Sequence, residues 1–271
     1  MNRLLRYGAE TYGNLLKKNS KHQLAMKHAL RIYRSNAIYS FIPKNACSTM
    51  RLSLALENQC IKDKADFNWI HQNNDTFSAD LASLITADYT FVILRCPYSR
   101  LASCYLDKIV DRSLDSWILQ NLTNHSLDLS KVSFEVFIKL MKKAAIKKGN
   151  IHWQPQIDFL VYEEYDDYFC LEEFGKAVKT LQEKIELSVV DARDLTKHGS
   201  SQLKFVEDTL SEGKSYANLS PDNLFLLKRS GKCPAPKLLY NEELIEIVQD
   251  CYQQDIALYS DIFGSKNLMF S

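Results

Sequence analysis

Two stretches of this chain share one layout: a short apolar run, a loop of small polar residues, then a helix-period pattern. Residues 37–42 (AIYSFI) lead into PKNACST and then MRLSLALENQC. Residues 89–95 (YTFVILR) lead into CPYS and then RLASCYLDKIV. Short apolar runs rich in β-branched and aromatic residues, closed by loop residues, read as buried strands. Two strand–loop–helix units in succession predict a parallel sheet with crossover helices. The expected fold is α/β, a single domain with a central parallel β-sheet flanked by helices.

Composition narrows the function classes. The chain has 271 residues, of which 46% are hydrophobic and 25% charged, so a packed core is expected and disorder is excluded. With 34 basic and 33 acidic residues the net charge is +1, which provides no global field for nucleic acid. The seven cysteines form no C-x-x-C pair and none stands at zinc-ligand spacing from a histidine. They read as reduced thiols, and no metal is expected.

The first residues, MNRLLRYGAETYGNLLKK, lack the apolar core and cleavage site of a signal peptide, and no apolar stretch is long enough for a transmembrane helix. A cytoplasmic location is the expectation, and the N-x-[ST] triplets at Asn74, Asn121, Asn124 and Asn218 read as chance matches. Residues 3–34 interleave basic residues with leucines and read as one or two amphipathic helices packed on the domain with a solvated basic face. The expected layout is an N-terminal amphipathic segment over 1–36, which would allow peripheral membrane contact, and a domain over 37–271. Further along, 134–148 reads as one amphipathic helix ended by Gly149. A long excursion is expected over 199–237, and 241–263 reads as a terminal helix capped by Asn241.

The loop at residues 43–49 has the makings of an anion cradle. Helix N-termini leave N–H groups unpaired and carry positive partial charge, so phosphate or sulfate settles there. Ser48 and Thr49 would add hydroxyls and Lys44 a full charge, while the small Ala46 lets the backbone approach a ligand. No glycine lies between Gly13 and Gly149, so this is not a Walker A loop. Taken alone, it reads more readily as a helix cap beside a surface lysine. At the end of the second strand stands Arg95, where ligands of open parallel sheets bind and where its fork suits a phosphate. Arg100, Ser103 and Asp107 follow on one helix face.

FIPKNACSTMR followed by FVILRCPYSRLASCYLDK resembles the paired nucleotide signatures of sulfotransferases that use 3′-phosphoadenylyl sulfate. The second stretch matches R-x-P-x-x-R-x-x-S-x-Y-x-x-K. The likeness is to the carbohydrate branch, which includes Golgi chondroitin 4-O-type enzymes and bacterial relatives. HWQPQ (152–156) and LLYNEELIEIVQDCYQQDIALY (238–259) resemble further elements of that branch.

The resemblance implies a P-loop-kinase-like sulfotransferase fold. Its donor would be 3′-phosphoadenylyl sulfate, with no metal, and its acceptor a carbohydrate or glycolipid hydroxyl. Lys44 would stabilise the leaving phosphate oxygen. Asn45, Ala46, Cys47, Ser48 and Thr49 would complete the 5′-phosphosulfate loop, and Arg95 and Ser103 would hold the 3′-phosphate. His71 stands where heparan-type relatives place their base. His152, in HWQPQ, competes with it, and a carboxylate such as Glu57 or Glu173 is a further candidate. The competing readings are a phosphotransferase using another nucleotide and a non-catalytic or membrane-docked nucleotide-binding module.

Overall fold

A computed structural model describes residues 3–9, 15–73, 75–195, 203–208, 210 and 215–270. Asn74 and part of the 199–237 excursion lie outside the described residues. The chain divides into two compact units, Met1–Arg95 with Gln156–Thr196, and Cys96–Pro155 with Lys197–Ser271.

The first unit is a mixed α/β layer built on a four-stranded sheet. Its strands are β1 (Ala29–Ile32), β2 (Ala37–Ser40), β3 (Tyr89–Leu94) and β4 (Asp167–Cys170), in the order β1-β2-β3-β4. β1 runs antiparallel to β2, whereas β2, β3 and β4 are parallel to one another. Every residue of β2 and β3 is buried, as expected for parallel strands covered on both faces. Tyr39 and Phe91 stack at 5.0 Å across the β2–β3 pair and anchor the core. The expected central parallel sheet is therefore present.

Helices α1 (Ser20–Lys27), α2 (Cys47–Glu57), α3 (Trp69–Gln72), α4 (Leu81–Ile85) and α9 (Phe174–Ile185) complete this unit. In α9 the buried positions are Ala177, Leu181 and Ile185, four residues apart, so one stripe faces the core.

Two expectations for residues 3–34 are corrected. Residues 29–32 form strand β1 rather than helix. A turn at Tyr33–Asn36, with Asn36 at φ 46°, folds them back onto β2, and asparagine tolerates that left-handed backbone better than most residues. Nor is the basic face solvated throughout, since Arg3 is buried and ion-paired to Asp166 at 2.7 Å.

The second unit is mainly helical. α5 (Pro97–Cys104) passes directly into a π-helical turn at Tyr105–Ile109, and α6 (Leu114–Leu122) follows. The single helix expected over 134–148 is two, α7 (Phe134–Leu140) and α8 (Ala144–Lys147). Lys143 between them is extended. Gly149 does stop the helical run, and a Cβ there would collide with Leu122.

The excursion holds α10 (Pro221–Arg229) and a two-stranded parallel ribbon, β5 (Lys204–Val206) with β6 (Lys232–Pro234). The terminal helix is also split, into α11 (Glu242–Cys251) and α12 (Gln253–Phe263). Asn241 caps α11 as expected, its Oδ1 accepting from the Leu244 N–H at 2.9 Å. The break falls at Tyr252, which leaves helical backbone geometry (φ −122°, ψ 26°). Its buried hydroxyl donates to the Trp153 carbonyl at 2.7 Å. Periodicity does not reveal such a long-range anchor.

Candidate active site

The loop between β2 and α2 takes an unusual backbone. Lys44 has φ 74° and Ala46 φ 55°, both left-handed. Such conformations cost a residue with a Cβ on the order of 1–3 kcal/mol and persist only where the surroundings impose them. Alternation of backbone hand is also what shapes anion-binding concavities. A glycine-rich loop reaches this geometry without strain; here lysine and alanine adopt it.

Ala46 is the N-cap of α2 and makes no side-chain capping bond. The first turn therefore presents the N–H groups of Cys47, Ser48 and Thr49 without a side-chain cap, the arrangement that favours an anion. Cys47 and Ser48 are half-buried. Thr49 is buried, and its Oγ1 accepts the Ala192 N–H at 3.2 Å, so this hydroxyl also pins the 190–192 segment to α2.

Arg95 follows the last residue of β3, and its guanidinium reaches the loop: NH1 donates to the Lys44 carbonyl at 3.0 Å. The loop and the strand end are further joined through Gln156, which is 1% exposed. Gln156 Oε1 accepts from the Arg95 N–H at 3.0 Å and from Asn45 Nδ2 at 2.6 Å, and Gln156 Nε2 donates to the Arg95 carbonyl at 2.9 Å. Asn45 Nδ2 also donates to the Ile93 carbonyl at 2.9 Å. Asn45 thus acts as an internal strut, with its side chain turned into the protein.

Arg51, one turn into α2, is a second cation. It is buried, packs over the Phe41 ring at 5.6 Å and donates to the Ile70 carbonyl. Burial pushes its pKa down, while Cys47 and Tyr39 pull it up. Its bond to Ile70 ties α3 to α2. His71 is the next residue on α3, exposed, with its ring edge-on to Phe67 at 5.1 Å.

Ser103 and His152 belong to the second unit. Ser103 is half-buried on α5. His152 Nδ1 lies 3.0 Å from Asp115 Oδ1. On α5, Arg100 is structural: it is 1% exposed and donates to the carbonyls of Gln154 and Ile151, so it braces the HWQPQ segment. Trp153 of the same segment is wholly buried and donates to the Ile146 carbonyl, so it is a core residue.

Three contributors went unrecognised at the sequence level: Gln156, Arg51 and Asp115. Gln156 lies inside the singled-out HWQPQ stretch, so a signal existed. Arg51 and Asp115 read as ordinary helix-surface charges, and nothing local marks them otherwise. Among the described residues no group of three or more His, Cys, Asp or Glu side chains is arranged to hold a metal. No helix among them is long and apolar enough to cross a membrane.

Comparison with curated proteins gives no match, and neither does comparison with solved structures. A family model described as "Sulfotransferase family" matches residues 27–260. That span includes the cradle loop, the strand that ends at Arg95 and the HWQPQ segment, and on it the chain belongs to the sulfotransferase family.

Proposed function

We propose that the protein moves a sulfuryl group from 3′-phosphoadenylyl sulfate to a hydroxyl of a carbohydrate or glycolipid. The observation that carries this reading is the junction, in one unit, of two elements whose chemistry suits anions. The strained loop at 44–46 opens α2, and Arg95 at the end of β3 is bonded to that loop's backbone. A donor with phosphate at both the 5′ and 3′ positions needs two such elements side by side.

In the proposed reaction the acceptor oxygen attacks sulfur in line, and the new S–O bond forms as the bond from sulfur to the bridging phosphate oxygen breaks. The electron pair stays on that oxygen, giving adenosine 3′,5′-bisphosphate. Lys44 and the α2 N-terminus stabilise the developing charge, the role that preorganised donors play where charge grows in a transition state. The first-turn groups of Cys47, Ser48 and Thr49 hold the 5′-phosphate. Arg95 takes the 3′-phosphate, and the sequence motif assigns Ser103 to the same group.

A histidine accepts the hydroxyl proton. His71 is first by its place in the chain, on a helix that Arg51 ties to α2. A specific observation favours His152 as the second reading: its Nδ1 faces a carboxylate, the arrangement that leaves Nε2 as proton acceptor.

The test is transfer of radiolabelled sulfate from the donor to a panel of glycans and glycolipids. Wild type should label at least one acceptor, Lys44→Ala should lose most of the rate, and one of His71→Ala and His152→Ala should lose far more than the other. Labelling that survives intact in Lys44→Ala would remove the basis of the proposal. A requirement for magnesium and ATP would point to phosphoryl transfer instead.

A further inference from the structure

We infer that Asp115 is a positioning residue, holding His152 in the tautomer that keeps the proton on Nδ1 and leaves Nε2 to accept one. For its catalytic consequence this rests on the sulfotransfer reading with His152, rather than His71, as the base; the tautomer itself does not.

The geometry around Asp115 is built. Its Oδ1 lies 3.0 Å from His152 Nδ1 and accepts from Asn150 Nδ2 at 2.7 Å. Its Oδ2 accepts from Ser113 Oγ at 3.1 Å and lies 3.5 Å from Lys108 Nζ. Asn150 Oδ1 in turn accepts the His152 backbone N–H at 2.8 Å and lies 3.1 Å from Nδ1. The imidazole is therefore held from one side by two oxygens, and both suit an N–H donor.

Asp115 also sits in the first turn of α6, where the helix dipole favours a carboxylate. Burial alone would push its carboxyl up, but the bonds from His152 and Asn150 and the charges of His152 and Lys108 outweigh it, and the group lies well below the usual carboxylate range. An ionised acceptor facing Nδ1 favours the tautomer with its proton there. This is the physical logic of an aspartate that orients a catalytic imidazole without taking its proton.

The segment that supplies the lysine is itself irregular. Lys108 lies in the π-helical turn Tyr105–Ile109, between Asp107 at 3.3 Å and Asp115. Single π turns inside helices recur at functional sites. The turn thus carries the lysine whose ammonium stands between the two carboxylates.

The test combines nitrogen-15 NMR of His152, assigned by its loss in His152→Gln, with steady-state kinetics. Wild type should show His152 with its proton on Nδ1, and Asp115→Asn should shift the population toward Nε2–H. In the kinetic arm, Asp115→Asn should lower kcat at least tenfold with the donor KM within about twofold, and Asp115→Glu should recover part of that loss. Wild-type His152 found as the Nε2–H tautomer overturns the inference, whether or not any variant folds. So does an unchanged kcat in a folded Asp115→Asn. Absence of sulfate transfer by wild type would instead defeat the sulfotransfer reading and leave the tautomer measurement to decide the role of Asp115.

Discussion

Replacing Gln156 with leucine keeps most of the side-chain volume and removes the amide. In the folded protein that amide is the acceptor for the Arg95 N–H and for Asn45 Nδ2, and the donor to the Arg95 carbonyl. Asn45 retains its bond to the Ile93 carbonyl, so the larger loss falls on the two backbone groups of Arg95. A buried polar group stripped of its partner costs about 1–3 kcal/mol. Two of them give roughly 4 kcal/mol at mid-range, a large part of the 5–15 kcal/mol that holds a typical protein folded. At about 2–4 °C per kcal/mol, Tm should fall by roughly 8–16 °C.

The loop is also released from the strand end, so affinity for adenosine 3′,5′-bisphosphate should drop by about tenfold or more, the equivalent of one kilocalorie-scale contact. Thermal unfolding with and without the bisphosphate reads both effects in one experiment, because a ligand that binds only the folded state raises Tm by an amount that grows with the logarithm of its affinity. A Gln156→Leu protein with wild-type Tm and a wild-type bisphosphate shift would refute the strut argument.

Other outcomes follow from the same geometry. At position 46, φ 55° suits glycine better than alanine. Ala46→Gly should therefore melt at or above wild type, while Ala46→Val should lose on the order of 1–2 kcal/mol, as read by denaturant unfolding; the opposite ranking would mean the left-handed loop is absent. His28 is buried between Phe41 and Phe159, and burial lowers its pKa. Below its ordinary value of about 6.5 the unfolded chain takes up a proton that the folded chain resists, so stability should fall as pH drops from 7 toward 5. His28→Gln should flatten that slope, and an unchanged slope would assign the pH dependence elsewhere. His22 is shifted the same way by burial and should add a contribution of the same sign. Arg51→Met should detach α3 from α2, and sulfate transfer should fall if His71 is the base but hold if His152 is.

The parts of the fold that were readable in advance are those that a local pattern determines. β2 and β3 are apolar runs because both faces of a central parallel strand are covered. Asn241 caps α11 because the bond it makes is three residues away. What escaped depends on partners far along the chain. Gln156 acts on Arg95 across 61 residues and on Asn45 across 111, and a glutamine in a loop carries no mark of that. The break at Tyr252 answers to Trp153, 99 residues earlier. β5 and β6 are three residues each, mostly exposed at β5, and carry lysines at their starts, so neither offers the apolar run that signals a strand.

The candidate site divides the same way. Lys44, Asn45 and Arg95 were visible as residue types at strand ends. The inward turn of the Asn45 side chain and the left-handed backbone at 44 and 46 were not, because residues other than glycine rarely adopt that conformation. Asp115 stayed hidden because an acid in the first turn of a helix is the ordinary companion of the helix dipole.

The measurement closest to the central claim is calorimetric binding of adenosine 3′,5′-bisphosphate to wild type and to Arg95→Ala. Wild type should bind saturably and one to one, without added metal, and the variant should lose at least a hundredfold in affinity. Equal affinity in the two proteins, or no binding by folded wild type, would contradict a donor site built from the 43–49 loop and Arg95.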